Sequence, residues 1–209
     1  MRIRAGLKWF VAATGTILVV LGCAYFYVIT PHHSSAPPES GAGLLERADE
    51  LAWGNNWAEA QPLYARAEHL FDAQHQTSKA LYAEVSQIPP NESVSVPNTI
   101  LRLTEDLQRA EAQDEETRLR ILTIRGMLQT NYDAAQARAT WQQVGALAVK
   151  LHHYELATRA EGEQGIAAFL LGNVDTAKKQ VVRAWGLSKV EHDPAATVRY
   201  ASVFGAGLV

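Results

Sequence analysis

Histidine, cysteine and paired carboxylates are the residues here whose chemistry could ligate a metal or move a proton, and their spacing argues against both. His32-His33 are adjacent in TPHHSSAPPESGAG, a Pro/Ser/Gly-rich run without the further ligands and fixed geometry that a metal site needs. His152-His153 falls at a junction between two helical patterns, where solvent or a helix C-terminal dipole accounts for an imidazole. His69 and His75 straddle an expected helix end and read as exposed. The single cysteine, Cys23, lies in an uncharged apolar run, which excludes a disulfide framework and a thiol-rich metal site. Glu161 and Glu163 sit among small residues, as a ligand-facing acidic spot or as a solvated, salt-bridged face. No phosphate-cradling Gly-rich loop, His-Glu-x-x-His, Gly-x-Ser-x-Gly or Cys-x-x-Cys occurs. The expectation is a chain with no catalytic residue, no cofactor and no metal: not an enzyme as it stands.

The elements that must carry any site are helices. From Tyr154 to Lys189, small and apolar residues recur at Ala157, Ala160, Gly165, Ala168, Phe169 and Leu171, then again at Val174, Ala177, Val181, Ala184, Trp185 and Leu187. That spacing predicts two amphipathic helices broken at Gly172-Asn173, with Asn173 or Asp175 to cap the second. Such a hairpin cannot bury both apolar sides alone, so stacked neighbours of the same kind are expected.

Two further stretches supply them. LLERADELAWGNNWAEAQPLYARAEHLF begins at Leu44, with Ala48, Leu51, Trp57, Ala60, Tyr64 and Ala67 in register; a second places Leu119 and Leu122 before Tyr132 and Ala135. In these positions the hairpins resemble the tetratricopeptide repeat, with Gly172, Val174, Ala177, Val181 and Ala184 at the corresponding places of the third. The interval from Ala60 to Ala135 is 75 residues and from Ala135 to Ala177 it is 42, against about 34 for an ideal array. Lengthened helices account for the second interval, and an extra hairpin or an inserted loop for the first. A helix is expected over Gln74–Ile88, a proline-rich interruption at PPNESVSVPN, and helix again over Thr99–Gln113. Asp133 and Asp193-Pro194 read as helix starts.

The N-terminal segment points to a membrane. Residues 1–8 carry Arg2, Arg4 and Lys8, and residues 9–29 form an apolar run of 21 without a charge, about 31 Å as a helix. With no Lys or Arg again until Arg47, the N-terminus is placed in the cytoplasm and the rest outside, at a bacterial inner membrane. The alternative is a lipoprotein anchored at Cys23, after Val20-Leu21-Gly22. Residues 30–43 read as a flexible linker. The fold class expected is all-α: a single transmembrane helix, then an irregular α-solenoid of tetratricopeptide-like hairpins over 44–209. The apolar Val203, Phe204, Leu208 and Val209 suggest that the array is cut off within its last repeat and self-associates through an exposed C-terminal helix. A net charge of −3 without a Lys/Arg cluster gives no reason to expect nucleic acid.

The resemblance implies a protein- or peptide-binding groove lined by the first helix of each repeat. Carried over position by position, its residues are Leu45, Asp49, Ala52 and Trp53; Arg120, Ile124 and Met127; Arg159, Ile166 and Phe169; and Arg199. Arginines with apolar neighbours suit an extended peptide bearing acidic groups. The function expected is a membrane-anchored, extracytoplasmic binding module. The alternative is the sensory front of a multidomain bacterial signalling enzyme, such as a diguanylate cyclase.

Overall fold

The computed structural model divides the chain into Met1–Pro38 and Glu39–Val209 and describes residues 39–89 and 95–207. The basic start, the expected anchor at 9–29, Cys23, His32-His33, most of the linker, Leu208 and Val209 lie outside the described residues. Among those described, no helix is long and apolar enough to cross a membrane.

Nine α-helices follow one another among the described residues: α1 Gly41–Trp53, α2 Trp57–Ala73, α3 Thr77–Val85, α4 Val96–Asp106, α5 Glu115–Thr130, α6 Ala134–Lys150, α7 Tyr154–Leu170, α8 Val174–Val190 and α9 Pro194–Gly207. A 3-10 turn, Ala110–Gln113, precedes α5. The starts at Trp57, Thr77, Val96, Glu115, Ala134, Tyr154, Val174 and Pro194 keep a nearly constant step. Where the unit is complete it is a 17-residue helix and a three-residue turn, and equivalent positions return every second helix. The long interval in the sequence is a further pair, α3 and α4, whose helices are short.

Among the described residues, five of the six three-residue turns share one chemistry; the sixth, between α5 and α6, keeps Asn131 right-handed and has no positive φ. Asn55, His75, His152, Gly172 and His192 all have positive φ, between 57° and 78°. At each, two amide N–H groups return to carbonyls of the closing helix: Gly172 N–H to Phe169 O and Asn173 N–H to Ala168 O, both 2.9 Å, for example. This is the Schellman closure, in which a left-handed residue satisfies otherwise orphaned carbonyls. Three of the histidines are thus turn residues, a conformation His tolerates better than most side chains. Helix starts are less uniform. Ser40, Asp114, Asp133 and Asp193 cap with their side chains, whereas Asn173 occupies the cap position without such a bond and Asp175 lies in the first turn.

Several boundaries differ from those the sequence suggests. α1 begins at Gly41 rather than after residue 43, because Gly41 is buried against the Phe71 ring, where an added Cβ would lie 3.0 Å from Cε1. α3 ends at Val85. α4 begins at Val96 with Pro97 in its first turn, where proline's missing N–H costs nothing, and it stops at Asp106 rather than running to Gln113.

Consecutive helices pack against each other, apart from α3 and α4, and α3, α5, α7 and α9 also touch in succession. The intervening α2, α4, α6 and α8 do not pair with one another in that way. The odd-numbered helices from α3 on thus form one continuous side of the stack, called here its inner side. Helices in the middle are apolar on two faces. α7 gives Ala160 and Ala167 to one core cluster and Ile166 and Ala168 to the next, which explains its run of small residues. Gly162 on α7 provides the space for the Tyr200 ring, whose hydroxyl donates to Arg159 O at 2.9 Å.

Inside the α5/α6 pair runs a polar seam. Arg125 Nη2 donates to Thr140 Oγ1 at 3.4 Å, Thr140 to Gln129 Oε1 at 2.7 Å, Gln129 Nε2 to Gln136 Oε1 at 3.1 Å, and Gln136 Nε2 to Asp133 Oδ2 at 2.9 Å. Gln129 and Thr140 are buried, and each is satisfied.

Two glycines separate backbone strain from steric overlap. A Cβ at Gly172 would meet nothing within 4 Å, so Gly172→Ala should cost only the left-handed penalty, about 1 kcal/mol. Gly162→Ala must displace Tyr200 and should cost about 3 kcal/mol. Urea unfolding of the two variants measures both.

Candidate functional site

The residues that the resemblance places in a groove fall mainly into three polar knots on the odd-numbered helices. In the first, Asp49 accepts from the Tyr64 hydroxyl at 2.6 Å and the Tyr82 hydroxyl at 3.0 Å. Arg120 donates from Nε to Ser86 Oγ at 2.7 Å and from Nη2 to the Tyr64 oxygen at 2.6 Å. Its Nη2 lies 3.5 Å from Asp49 Oδ1, and its Cζ lies 5.3 Å from both tyrosine ring centroids. Burial pushes both phenols well above their ordinary pKa, with Asp49 adding to the rise and Arg120 opposing it. Burial works against the Arg120 cation too, yet the oxygens of Tyr82, Tyr64 and Asp49 outweigh it and raise its pKa. The knot holds no phenolate and no free cation.

The second knot centres on Arg159. Nε donates to Asp193 Oδ2 at 2.7 Å, and Nη2 to Asp193 Oδ1 at 2.9 Å and to Trp53 O at 3.2 Å. The guanidinium Cζ lies 3.4 Å from the Trp53 ring centroid. Asp193 also caps α9 through the Ala196 N–H at 3.0 Å. In the third knot Arg199 donates to both carboxylate oxygens of Glu163, Nη2 at 2.7 Å. Arg120, Arg159 and Arg199 recur at the step of one helix pair, and each has a carboxylate from another element.

Among the remaining positions, Ile124 and Ile166 are core residues, 2% and 9% exposed, and line no surface. Leu45, Met127 and Phe169 are half-buried at the margins of the three clusters. The partners that sequence reasoning did not assign are Tyr64, Tyr82, Ser86 and Asp193. Only Asp193 carried a signal, as the residue before Pro194. Glu163, an acidic spot in the sequence, is buried and paired, and Glu161 lies 3.5 Å from Arg183. Elsewhere a cleft of about 650 Å³ lies between α2, α3 and α4, lined by polar side chains including Glu68, Glu84, Gln87 and Arg102. No group of three His, Cys, Asp or Glu able to hold a metal occurs among the described residues.

The second knot makes stability depend on acid. Burial opposes the Asp193 charge, but the Arg159 hydrogen bonds and the Ala196 N–H more than compensate, holding its pKa below the ordinary 3.8. A group depressed in the folded state stabilises above its unfolded pKa and loses that contribution as pH falls through the folded value. Stability should therefore decline below about pH 4, and Asp193→Asn should remove that part of the decline while costing about 3 kcal/mol at neutral pH. Denaturant unfolding of both proteins at pH 7 and pH 3 tests this.

No family model, curated protein or solved structure matches the chain.

Proposed function

We propose that the chain is a tetratricopeptide-like binding module, held at a membrane through residues 9–29 with its helical array extracytoplasmic, that receives a protein or peptide on its inner face without chemistry of its own. The observation that carries this reading is the succession α3, α5, α7, α9, each touching the next across its pair. A continuous face of adjacent helices is the surface on which repeat arrays hold extended partners.

The three knots refine the ligand. With Arg120, Arg159 and Arg199 already matched to Asp49, Asp193 and Glu163, an acidic peptide gains little from them. The partner that suits this face is an extended segment with well-separated apolar side chains that rest against Leu45 and Met127, and with main-chain hydrogen bonds to polar groups at the rim. Burying two such side chains contributes about 3–6 kcal/mol, which by itself corresponds to an affinity of about millimolar to tens of micromolar.

The test is to pan the full-length chain in detergent against a displayed library of random peptides and to measure the recovered binders on variants. Leu45→Lys and Met127→Lys should each weaken binding at least tenfold. Tyr132→Ser and Leu171→Ser, at exposed positions beside two turns, should leave it unchanged. The reverse pattern would move the site to the turn edge, and recovery of no binder would count against the reading.

A further inference from the structure

In a stack of helix pairs each unit touches its neighbours and nothing farther. Two side chains here break that rule, Arg120 on α5 by reaching Asp49 and Tyr64 in the first pair, and one on α7 by reaching farther still. Arg159, on α7, reaches Trp53, the last residue of α1, across 106 residues of chain. α1 and α7 do not pack on each other as helices, so the bridge is made by the Arg159 side chain on the ring and the carbonyl of Trp53.

The bridge is built from three complementary interactions on one guanidinium. Its face covers the Trp53 indole with Cζ 3.4 Å from the ring centroid, a cation over an aromatic quadrupole. One edge donates to Trp53 O at 3.2 Å, a carbonyl at the C-terminal end of α1 where helix dipole and missing partners both favour a cation. The remaining donors hold both oxygens of Asp193, whose side chain is 2% exposed and which caps α9. Asp193 thus holds the guanidinium in the orientation that faces the Trp53 indole. The Arg159 side chain is only 20% exposed, which strengthens the cation–π term by desolvation.

We infer that Arg159 is a latch: it fastens the C-terminal end of the first helix to the repeat three pairs on, closing the inner face at that level, and that end of α1 is freed when the indole is released, while α2 and the Asp49 knot keep the rest of the helix in place. The array then has two states, latched and open, set by a point contact. Trp53 and Arg159 are both positions that a ligand on the inner face would use, and in the latched state they occupy each other. The latch holds whatever the array binds, and its test involves no ligand.

A double-mutant cycle on the full-length chain decides it. Trp53→Ala, Arg159→Met and the pair are compared by urea unfolding. Loss of the Asp193 partner is common to both Arg159→Met proteins and cancels in the cycle. A latch predicts that the single effects on the unfolding equilibrium fail to multiply, with a discrepancy of about tenfold. Simple multiplication would overturn it. Should Arg159→Met not fold, the cycle is run with Arg159→Lys, which keeps a charge for Asp193 but lacks the planar face; it should retain less than half of the coupling, in logarithmic terms, and again zero coupling refutes the latch. As a second readout, Arg159→Lys should speed amide exchange at the C-terminal end of residues 41–53 several-fold while leaving 174–190 unchanged. Equal exchange in both segments of variant and parent would also overturn it.

Discussion

A 17-residue helix and a short turn set the step on which the rest of this structure depends. Between α5 and α6 Asn131 stays right-handed and the turn has no positive φ; at the other five three-residue turns one residue takes the left-handed conformation and two N–H groups return to the helix that ends there. That residue is glycine only at position 172; elsewhere asparagine or histidine bears the conformation, at some cost in strain. Because the step from one helix start to the next barely varies, equivalent positions return every second helix. Alternate helices then meet on one side, and a row such as Arg120, Arg159 and Arg199 comes into line.

Apolar packing alone would leave such a stack free to slide and splay, since alanine and glycine surfaces offer few distinguishing shapes. The polar contacts supply the distinction. Each of the three arginines draws its carboxylate from a different element, Asp49 from α1, Asp193 from the turn before α9, and Glu163 from α7, so each ties two elements together, α1 and α5 being two that do not otherwise pack. All three carboxylates are buried or half-buried, where removing one partner strands the other.

Much of this was legible in the sequence. All three turns marked by the alanines at 60, 135 and 177 occur, but the middle register is shifted by two residues: Ala137, buried like Ala60 and Ala177 and like them four residues after the cap position, holds the place that the spacing assigns to Ala135, which is exposed. Asp133 and Asp193 read as caps and are caps. What was not legible is what depends on distance along the chain. Nothing local to Arg159 indicates the indole of Trp53, far earlier in the chain, and nothing around Arg120 indicates Tyr64. The α3/α4 pair was obscured for another reason: Pro97 looks like a breaker, yet in a first turn it is a starter. His75 reads in the sequence as exposed and His152 as accounted for by solvent or a helix dipole, whereas at both, and at His192, the backbone angle is what the turn uses.

The seam inside the α5/α6 pair has a sense of direction. Arg125 can only donate and Asp133 can only accept, so every hydroxyl and amide between them has one orientation that serves both its neighbours. Thr140, Gln129 and Gln136 are locked like arrows on a one-way path, from the cation on α5 to the anion at the start of α6. An isosteric exchange of Gln129 for Glu would keep the shape and reverse one arrow, setting two acceptors face to face. The hairpin is therefore specified by the polarity of its hydrogen bonds as well as by the fit of its surfaces.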